Sequence, residues 1–364
     1  MRRALWLLAG TALAVLVLLA AGGGLLARHG WSILTTPHQG FPGDEIFVEI
    51  PPGTSGGAIL ARLVAAGVLP ESRFARLWLV HRMGDPPLHA GEYRFRGASR
   101  PLDVLAKLQR GEVALFRVTV LEGSTLVETA EALAAAGVAG LEELLAAFSR
   151  PGLVADLDPE ATNLEGYLFP DTYHFPRRPG AEAVAAEMVG NFRRRFAADV
   201  APLAEGAPPA LRRLVTLASL VEKEARLDEE RPLIAGVYAN RLRIGMTLGA
   251  DPTIIYGLKL EGRWDGNLRR HHLTEDAPYN SYRRPGLPPS PICSPGLGSL
   301  QAAMRPAETE ALYFVSRNDG SHVFSRTLAE HSRAVDLWQR QYWRERWRRE
   351  REAAAREEAG VRDN

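Results

Sequence analysis

Leu211-Arg212-Arg213-Leu214-Val215-Thr216-Leu217-Ala218-Ser219-Leu220-Val221-Glu222-Lys223-Glu224-Ala225-Arg226 is the stretch around which the C-terminal half of this chain is read. Its apolar residues recur every three to four positions, the period of an amphipathic helix. Glu224 lies three, four and seven positions beyond Val221, Leu220 and Leu217, so it shares their apolar face. Glu222 lies about 200° from Glu224 around the helix axis. It precedes Arg226 by one helical turn and is expected in solvent, paired with that arginine. A carboxyl group at the rim of an apolar face is partly desolvated, which raises its pKa and keeps it protonated near neutrality. Glycosidic cleavage needs a general acid of that kind. Position alone does not separate such an acid from a capping or solvated glutamate.

Working outward, helices are expected at about 181–199, 209–226 and 229–243, and the Ala- and Leu-rich stretch 125–150 also reads as helical. Leu164 to Tyr173 is aromatic, rich in breakers and without period. Residues 249–300 are dense in Pro, Gly, Tyr and Asn with little periodicity, and they read as a long binding loop. Tyr256, Trp264, Tyr279 and Tyr282 argue against disorder there. Tyr313-Phe314-Val315 and His322-Val323-Phe324 flank Asn318-Asp319-Gly320, a hairpin signal. Arg340 to Glu352 holds six Arg and three Glu with Trp343 and Trp347. It reads as a charged helix, either solvated or in contact with an anionic polymer or lipid headgroups.

Towards the N-terminus, Ile46–Ile50, Gly91–Phe95 and Phe116–Val120 are strand candidates. Helices are expected at 58–66, 71–83 and 101–109, the last closed by Gly111. Gly53 to Gly57 has no P-loop lysine and reads as a turn with an N-cap. Together these make residues 45–121 a small α+β module. Residues 29–44, with Pro37, Gly40, Pro42 and Gly43, read as a linker. Ala4 to Ala27 is uncharged and bracketed by Arg2 and Arg3 on one side and Arg28 on the other. As a helix it rises about 36 Å, enough to cross a hydrocarbon core of about 30 Å. Arg2 and Arg3 hold the N-terminus in the cytoplasm, so residues 1–28 read as a single-pass anchor. A signal peptide cut near Ala20-Ala21-Gly22 is the alternative. Both readings export the rest.

The chain has 364 residues, with 44 Lys plus Arg against 43 Asp plus Glu, a net charge of +1. That balance removes the basic excess that marks nucleic-acid binders. A 46% hydrophobic and 24% charged composition is ordinary for a globular protein. The lone Cys293 excludes an internal disulfide and a four-cysteine zinc site, and it reads as a half-buried small side chain. No His-Glu-x-x-His or Gly-x-Ser-x-Gly motif occurs, and His271 and His272 sit beside Arg269 and Arg270, a poor place for a cation.

Ala218 to Glu224, Val237-Tyr238-Ala239-Asn240-Arg241-Leu242 with Gly245-Met246, and Asp251-Pro252-Thr253 together resemble the YceG-like family of endolytic murein transglycosylases. Tyr279-Asn280-Ser281-Tyr282, Gly286-Leu287-Pro288-Pro289, Pro295-Gly296, and the closing Tyr313–Val315, Gly320–Phe324 and His331 extend the likeness. So do Glu165–Tyr173 and the module around Gly91–Phe95, in the same order, from the anchor to about residue 335. The resemblance implies an α+β protein with an N-terminal transmembrane helix, a LysM-like glycan-binding module at 45–121, a catalytic domain at 122–335 and a charged tail at 336–364. It implies an inner-membrane enzyme, facing the periplasm, that cuts peptidoglycan strands internally between N-acetylmuramic acid and N-acetylglucosamine. The muramyl product ends as a 1,6-anhydro sugar. Glu224 would be the catalytic residue; Asn240, Arg241, Asp251, Thr253, Tyr279, Asn280, Tyr282 and His322 would bind glycan. Peptidoglycan synthases are the implied protein partners, and the resemblance implies neither a metal nor an organic cofactor. Cys293 and the long charged tail depart from the family pattern. A catalytically silent peptidoglycan-binding or scaffold protein is the competing reading. A third is a muramidase that uses a second carboxylate from among Glu165, Asp171 and Asp251.

Overall fold

The computed structural model of the chain describes residues 2–71, 75–76, 88–206 and 209–351. It divides into two units, Met1–Phe116 with His174–Arg177, and Arg117–Tyr173 with Arg178–Asn364.

The first unit begins with helix α1, Arg2–Thr35. Within it Leu13–Thr35 is long and apolar enough to cross a membrane. The helix continues into the expected linker and ends at Thr35, because nothing before Pro37 breaks it. Strand β1, Glu45–Ile50, pairs antiparallel with β2, Gly91–Arg96, from Glu45 opposite Arg96 to Ile50 opposite Gly91. Between them α2, Gly56–Ala65, starts where the Ser55 side chain accepts from the Ala58 N–H. Helix α3 is Pro101–Gln109. Ile50, Ile59, Leu63, Tyr93, Leu105 and Leu108 are buried in one core. The helix expected at 71–83 lies outside the described residues except for Glu71, Ala75 and Arg76.

In the rest of the chain, strand β3 is Leu115–Thr119 and helices α4 and α5 are Leu126–Ala135 and Leu141–Phe148. Strand β4 is Thr172–Pro176 and α6 is Ala181–Arg195. Helices α7, Leu211–Glu224, and α8, Arg231–Arg243, follow. Residues 249–300 are less irregular than expected, for they contain α9, Asp251–Leu260, α10, Arg270–Thr274, and the start of α11, Leu297–Met304. Pro252 sits in the first turn of α9, where its missing N–H costs nothing, and Gly262, at φ 66°, follows its end. Strands β5, Tyr313–Ser316, and β6, His322–Ser325, form the expected hairpin, with Asn318 and Gly320 at positive φ in its turn. Helix α12 is Leu328–Val335.

Helix α7 is the centre of the second unit. Leu214 to Val221 are all buried, so the helix is covered on every side through its middle, while Lys223 in its last turn is exposed. Helices α8, α9 and α11 pack against it. Gly166, at φ 87°, lets the Glu165–Tyr167 turn come close to the same helix. A Cβ there would stand 2.6 Å from the Pro291 ring and 2.8 Å from Val215 of α7.

Candidate active site

Helix α7 ends at Glu224, because Ala225 already has extended backbone (φ −72°, ψ 131°). The carboxyl group is therefore presented in the last turn, at the negative end of the helix dipole. Glu224 is half-buried, and its carboxyl is hydrogen-bonded to the hydroxyl of Tyr238 on α8. Burial, followed by the charge of Asp251, pushes its pKa up to about 7, while the Tyr238 hydrogen bond and Arg241 pull the other way. The expectation of a desolvated carboxyl on the apolar face holds.

Three expected site residues gather around this carboxyl through its electrostatics. Asp251, the first residue of α9, accepts a hydrogen bond from the Tyr282 hydroxyl at 2.7 Å. Arg241 donates from Nε to the Leu312 carbonyl at 2.6 Å and from Nη1 to the Leu248 carbonyl at 2.5 Å. Its guanidinium lies 5.3 Å from the centre of the Tyr313 ring. Burial lowers the Arg241 pKa, and the charge of Glu224 is among the effects that oppose this.

Glu224 opens onto a cleft of about 370 Å³ whose walls include Lys223, Arg226, Asn318, His322 and Trp343. His322 is held from behind by Glu230. One Glu230 oxygen accepts the His322 backbone N–H at 2.9 Å and the other lies 2.6 Å from Nδ1. That pairing fixes the imidazole and leaves Nε2 as its unengaged nitrogen in the pair.

Four other expected residues make hydrogen bonds within the fold. Thr253 Oγ1 donates to the Ala250 carbonyl at 2.8 Å and lies 2.9 Å from Ser281 Oγ. Asn280 Nδ2 donates to the Glu275 and His272 carbonyls at 2.6 and 3.0 Å. Asn240 Nδ2 donates to the Thr309 carbonyl at 2.7 Å, which ties α8 to the chain before β5. The Tyr279 hydroxyl is 2.7 Å from Ser290 Oγ, and its ring meets Tyr256 edge-on.

The other carboxylates considered are placed differently. Glu165 is buried, and both its oxygens accept the Leu126 N–H, at 3.0 and 3.1 Å, at the N-terminus of α4. It also accepts from the Tyr256 hydroxyl at 3.0 Å, and burial pushes its pKa up to about 7. Asp171 is exposed and accepts from the Thr172 N–H at 2.7 Å.

Glu222 is not in solvent and does not pair with Arg226. Its Oε2 accepts from the Gly296 N–H at 3.0 Å and from Ser299 Oγ at 2.7 Å, and its Oε1 is 3.8 Å from Arg231. Helix α11 covers the face of α7 that the local sequence leaves polar, and this overturns the reading. Cys293 is fully buried, with Sγ 3.4 Å from the Ser219 carbonyl, so burial pushes the thiol pKa up. Tyr238, in one of the family-like blocks, and Glu230, in none, are the partners of Glu224 and His322, and the sequence assigns neither that role. Nothing in their spacing marks them, since each meets its partner only through the fold.

The family model described as the YceG-like family matches residues 48–337. An endolytic murein transglycosylase of Bacillus subtilis is 30% identical over 339 residues, covering 88% of this chain and 91% of that protein. An endolytic murein transglycosylase of Streptococcus pneumoniae is 28% identical over 325 residues, covering 80% of this chain and 58% of that protein. A crystal structure of a yceG-like protein from Listeria monocytogenes superposes with a TM-score of 0.54 at 31% identity, over 80% of this chain and all of that one.

Proposed function

This chain belongs to the YceG-like family, and from that premise we propose that it is an endolytic peptidoglycan lytic transglycosylase with Glu224 as its acid and base. The observation that carries this reading is a single carboxyl group on the wall of a cleft, its pKa pushed up to about 7. Protonated Glu224 donates to the oxygen joining C1 of N-acetylmuramic acid to N-acetylglucosamine, and the C1–O bond breaks. The C6 hydroxyl of the same muramyl residue attacks C1. The Glu224 carboxylate takes that hydroxyl proton and is restored to the acid form. The product is a 1,6-anhydro end, and no water is consumed.

A hydrolase needs a second carboxylate as nucleophile or base. Intramolecular attack does not, and its effective molarity is high because both reacting atoms belong to one sugar. Among the described residues lining the cleft, Glu224 is the only carboxylate; Asp251, whose charge reaches Glu224, is outside that lining and accepts the Tyr282 hydroxyl. That favours transglycosylation over the muramidase reading. A silent scaffold would have no use for a desolvated acid braced by Tyr238.

The finer assignments belong to the same proposal. Arg241, Asp251, Tyr282 and His322 act at or beside the glycan, while Asn240, Thr253, Tyr279 and Asn280 shape the site from behind. The first unit serves as a LysM-like glycan-binding module. Helix α1 anchors the protein in the inner membrane with the bulk outside, where lipid covers the apolar side chains exposed from Leu13 onward. Peptidoglycan synthases, which make the strands, are the partners this placement suits. The test is mass spectrometry of digested glycan. Anhydro ends, one water lighter than reducing ends, support the reading, and reducing ends alone overturn it.

A further inference from the structure

The family match ends at residue 337, yet the chain continues into the wall of the Glu224 cleft. Residues 342–351 are helical, and Tyr342, Trp343 and Arg346 line that cleft. The segment is fastened to the β5–β6 hairpin just before it gets there. Asn318 Nδ2 donates to the Trp338 carbonyl at 2.5 Å and Gln339 Nε2 donates to the Ser316 carbonyl at 2.8 Å. The Arg317 guanidinium lies 5.8 Å from the centre of the Trp338 ring. The wall so placed is both aromatic and cationic. Arg346 stacks over Trp343 at 5.1 Å and is steadied by Glu350 at 2.8 Å. Exposed Arg226 and Lys223, whose Nζ donates to the Gly123 carbonyl at 3.1 Å, add two more cations from the end of α7 and just beyond. Lys223, Arg226 and Arg346 against the single carboxyl of Glu224 leave the cleft lining with a positive balance.

A neutral sugar does not call for three cations. A muramyl residue carries a carboxylate in its lactyl group, or several in the peptide attached there. We propose that the segment beyond residue 337 completes the cleft as a subsite for the muramyl carboxylate, with Trp343 packed on a sugar face and Arg226 and Arg346 meeting the anion. The proposal rests on the transglycosylase reading and adds the substrate feature that this chain selects.

The test uses the full-length chain in detergent with Glu224→Gln, so that bound glycan survives. Affinity is measured for muramyl glycan stripped of peptide, peptide-bearing glycan and neutral N-acetylglucosamine oligomers of equal length. Adding Arg226→Gln with Arg346→Gln should weaken binding of muramyl glycan about tenfold, the loss of about one charge-assisted hydrogen bond, and leave the neutral oligomer unchanged. Loss with the stripped strand identifies the lactyl carboxylate; loss confined to the peptide-bearing strand identifies the peptide. Arg226→Lys with Arg346→Lys should retain most of the affinity, which a packing role would not predict. Trp343→Ala should weaken all three ligands. If the Gln pair binds every ligand like its parent, or loses the neutral oligomer equally, the subsite does not exist. Cleavage by the otherwise unmodified chain is assayed in parallel. Cleavage with unaltered affinities removes only the subsite, whereas no cleavage of any muramyl glycan removes the transglycosylase reading and the subsite with it.

Discussion

Glu222→Ala tests how the end of α7 is held, and its cost follows from the contacts. The side chain is only 7% exposed and lies 3.8 Å from Arg231. Its carboxylate takes the Gly296 N–H and the Ser299 hydroxyl. Hydrogen bonds to a charged group contribute about 1.5–3 kcal/mol each, so the gross loss is roughly 3–6 kcal/mol. Two effects offset it. Arg231 keeps Asp228 and the Glu122 carboxylate at 4.0 Å. Glu122, whose pKa is raised by burial and then by the charge of Glu222, is also relieved. A net destabilisation of about 2–3 kcal/mol remains, a little below the usual cost of breaking a buried pair. In a unit of this size that lowers Tm by about 5–10 °C. Circular dichroism melting of the full-length protein at pH 7.5 measures it. Glu222→Gln keeps an acceptor and should cost about half as much. A shift under about 2 °C for the alanine variant would refute the burial argument and return Glu222 to solvent.

Further outcomes follow from the charges around Glu224 and at Glu165. Because Asp251 helps to raise the Glu224 pKa to about 7, Asp251→Asn should move the alkaline limb of the pH–kcat/KM profile to lower pH. Tyr238→Phe removes a hydrogen bond that lowers the same pKa, so its limb should move to higher pH; equal or reversed shifts would contradict the assignment. Glu165 has a folded pKa of about 7 against a free value near 4.5, so the folded state holds its proton more tightly. Its contribution is fully present below about pH 4.5 and is lost as pH rises through 7, and Glu165→Gln should flatten that part of a stability–pH curve measured by urea unfolding. The same variant should still form anhydro ends, because the Glu165 carboxylate is engaged at the start of α4.

The local period of α7 was enough to place Glu224 with Val221, Leu220 and Leu217 and to anticipate its desolvation. The Asn318-Asp319-Gly320 turn was equally legible, since left-handed backbone at Asn318 and Gly320 suits those residue types. Periodicity says which residues share a face, but not what covers each face. Glu222 was misplaced for that reason, as its partners Gly296 and Ser299 arrive from α11. Helix α9 was hidden because Pro252 and Gly257 look like breakers, whereas Pro in a first turn is harmless and Gly257 gives room to Tyr279. The charged helix from Arg340 reads in sequence as either solvated or in contact with an anionic polymer or lipid headgroups, and its place in the cleft wall is not legible because its anchor is the contact between Gln339 and Ser316 across the hairpin.

The catalytic role of Glu224 is tested most directly by Glu224→Gln, which is nearly isosteric but cannot donate and recover a proton. Release of anhydromuramyl ends is followed by mass spectrometry for the unmodified protein and the variant, with matched melting curves as the folding control. The unmodified protein should release anhydro ends, and the variant's rate should fall by at least about 10²-fold, the usual contribution of a positioned general acid. A folded Glu224→Gln protein that cuts glycan at a near-normal rate would contradict the account.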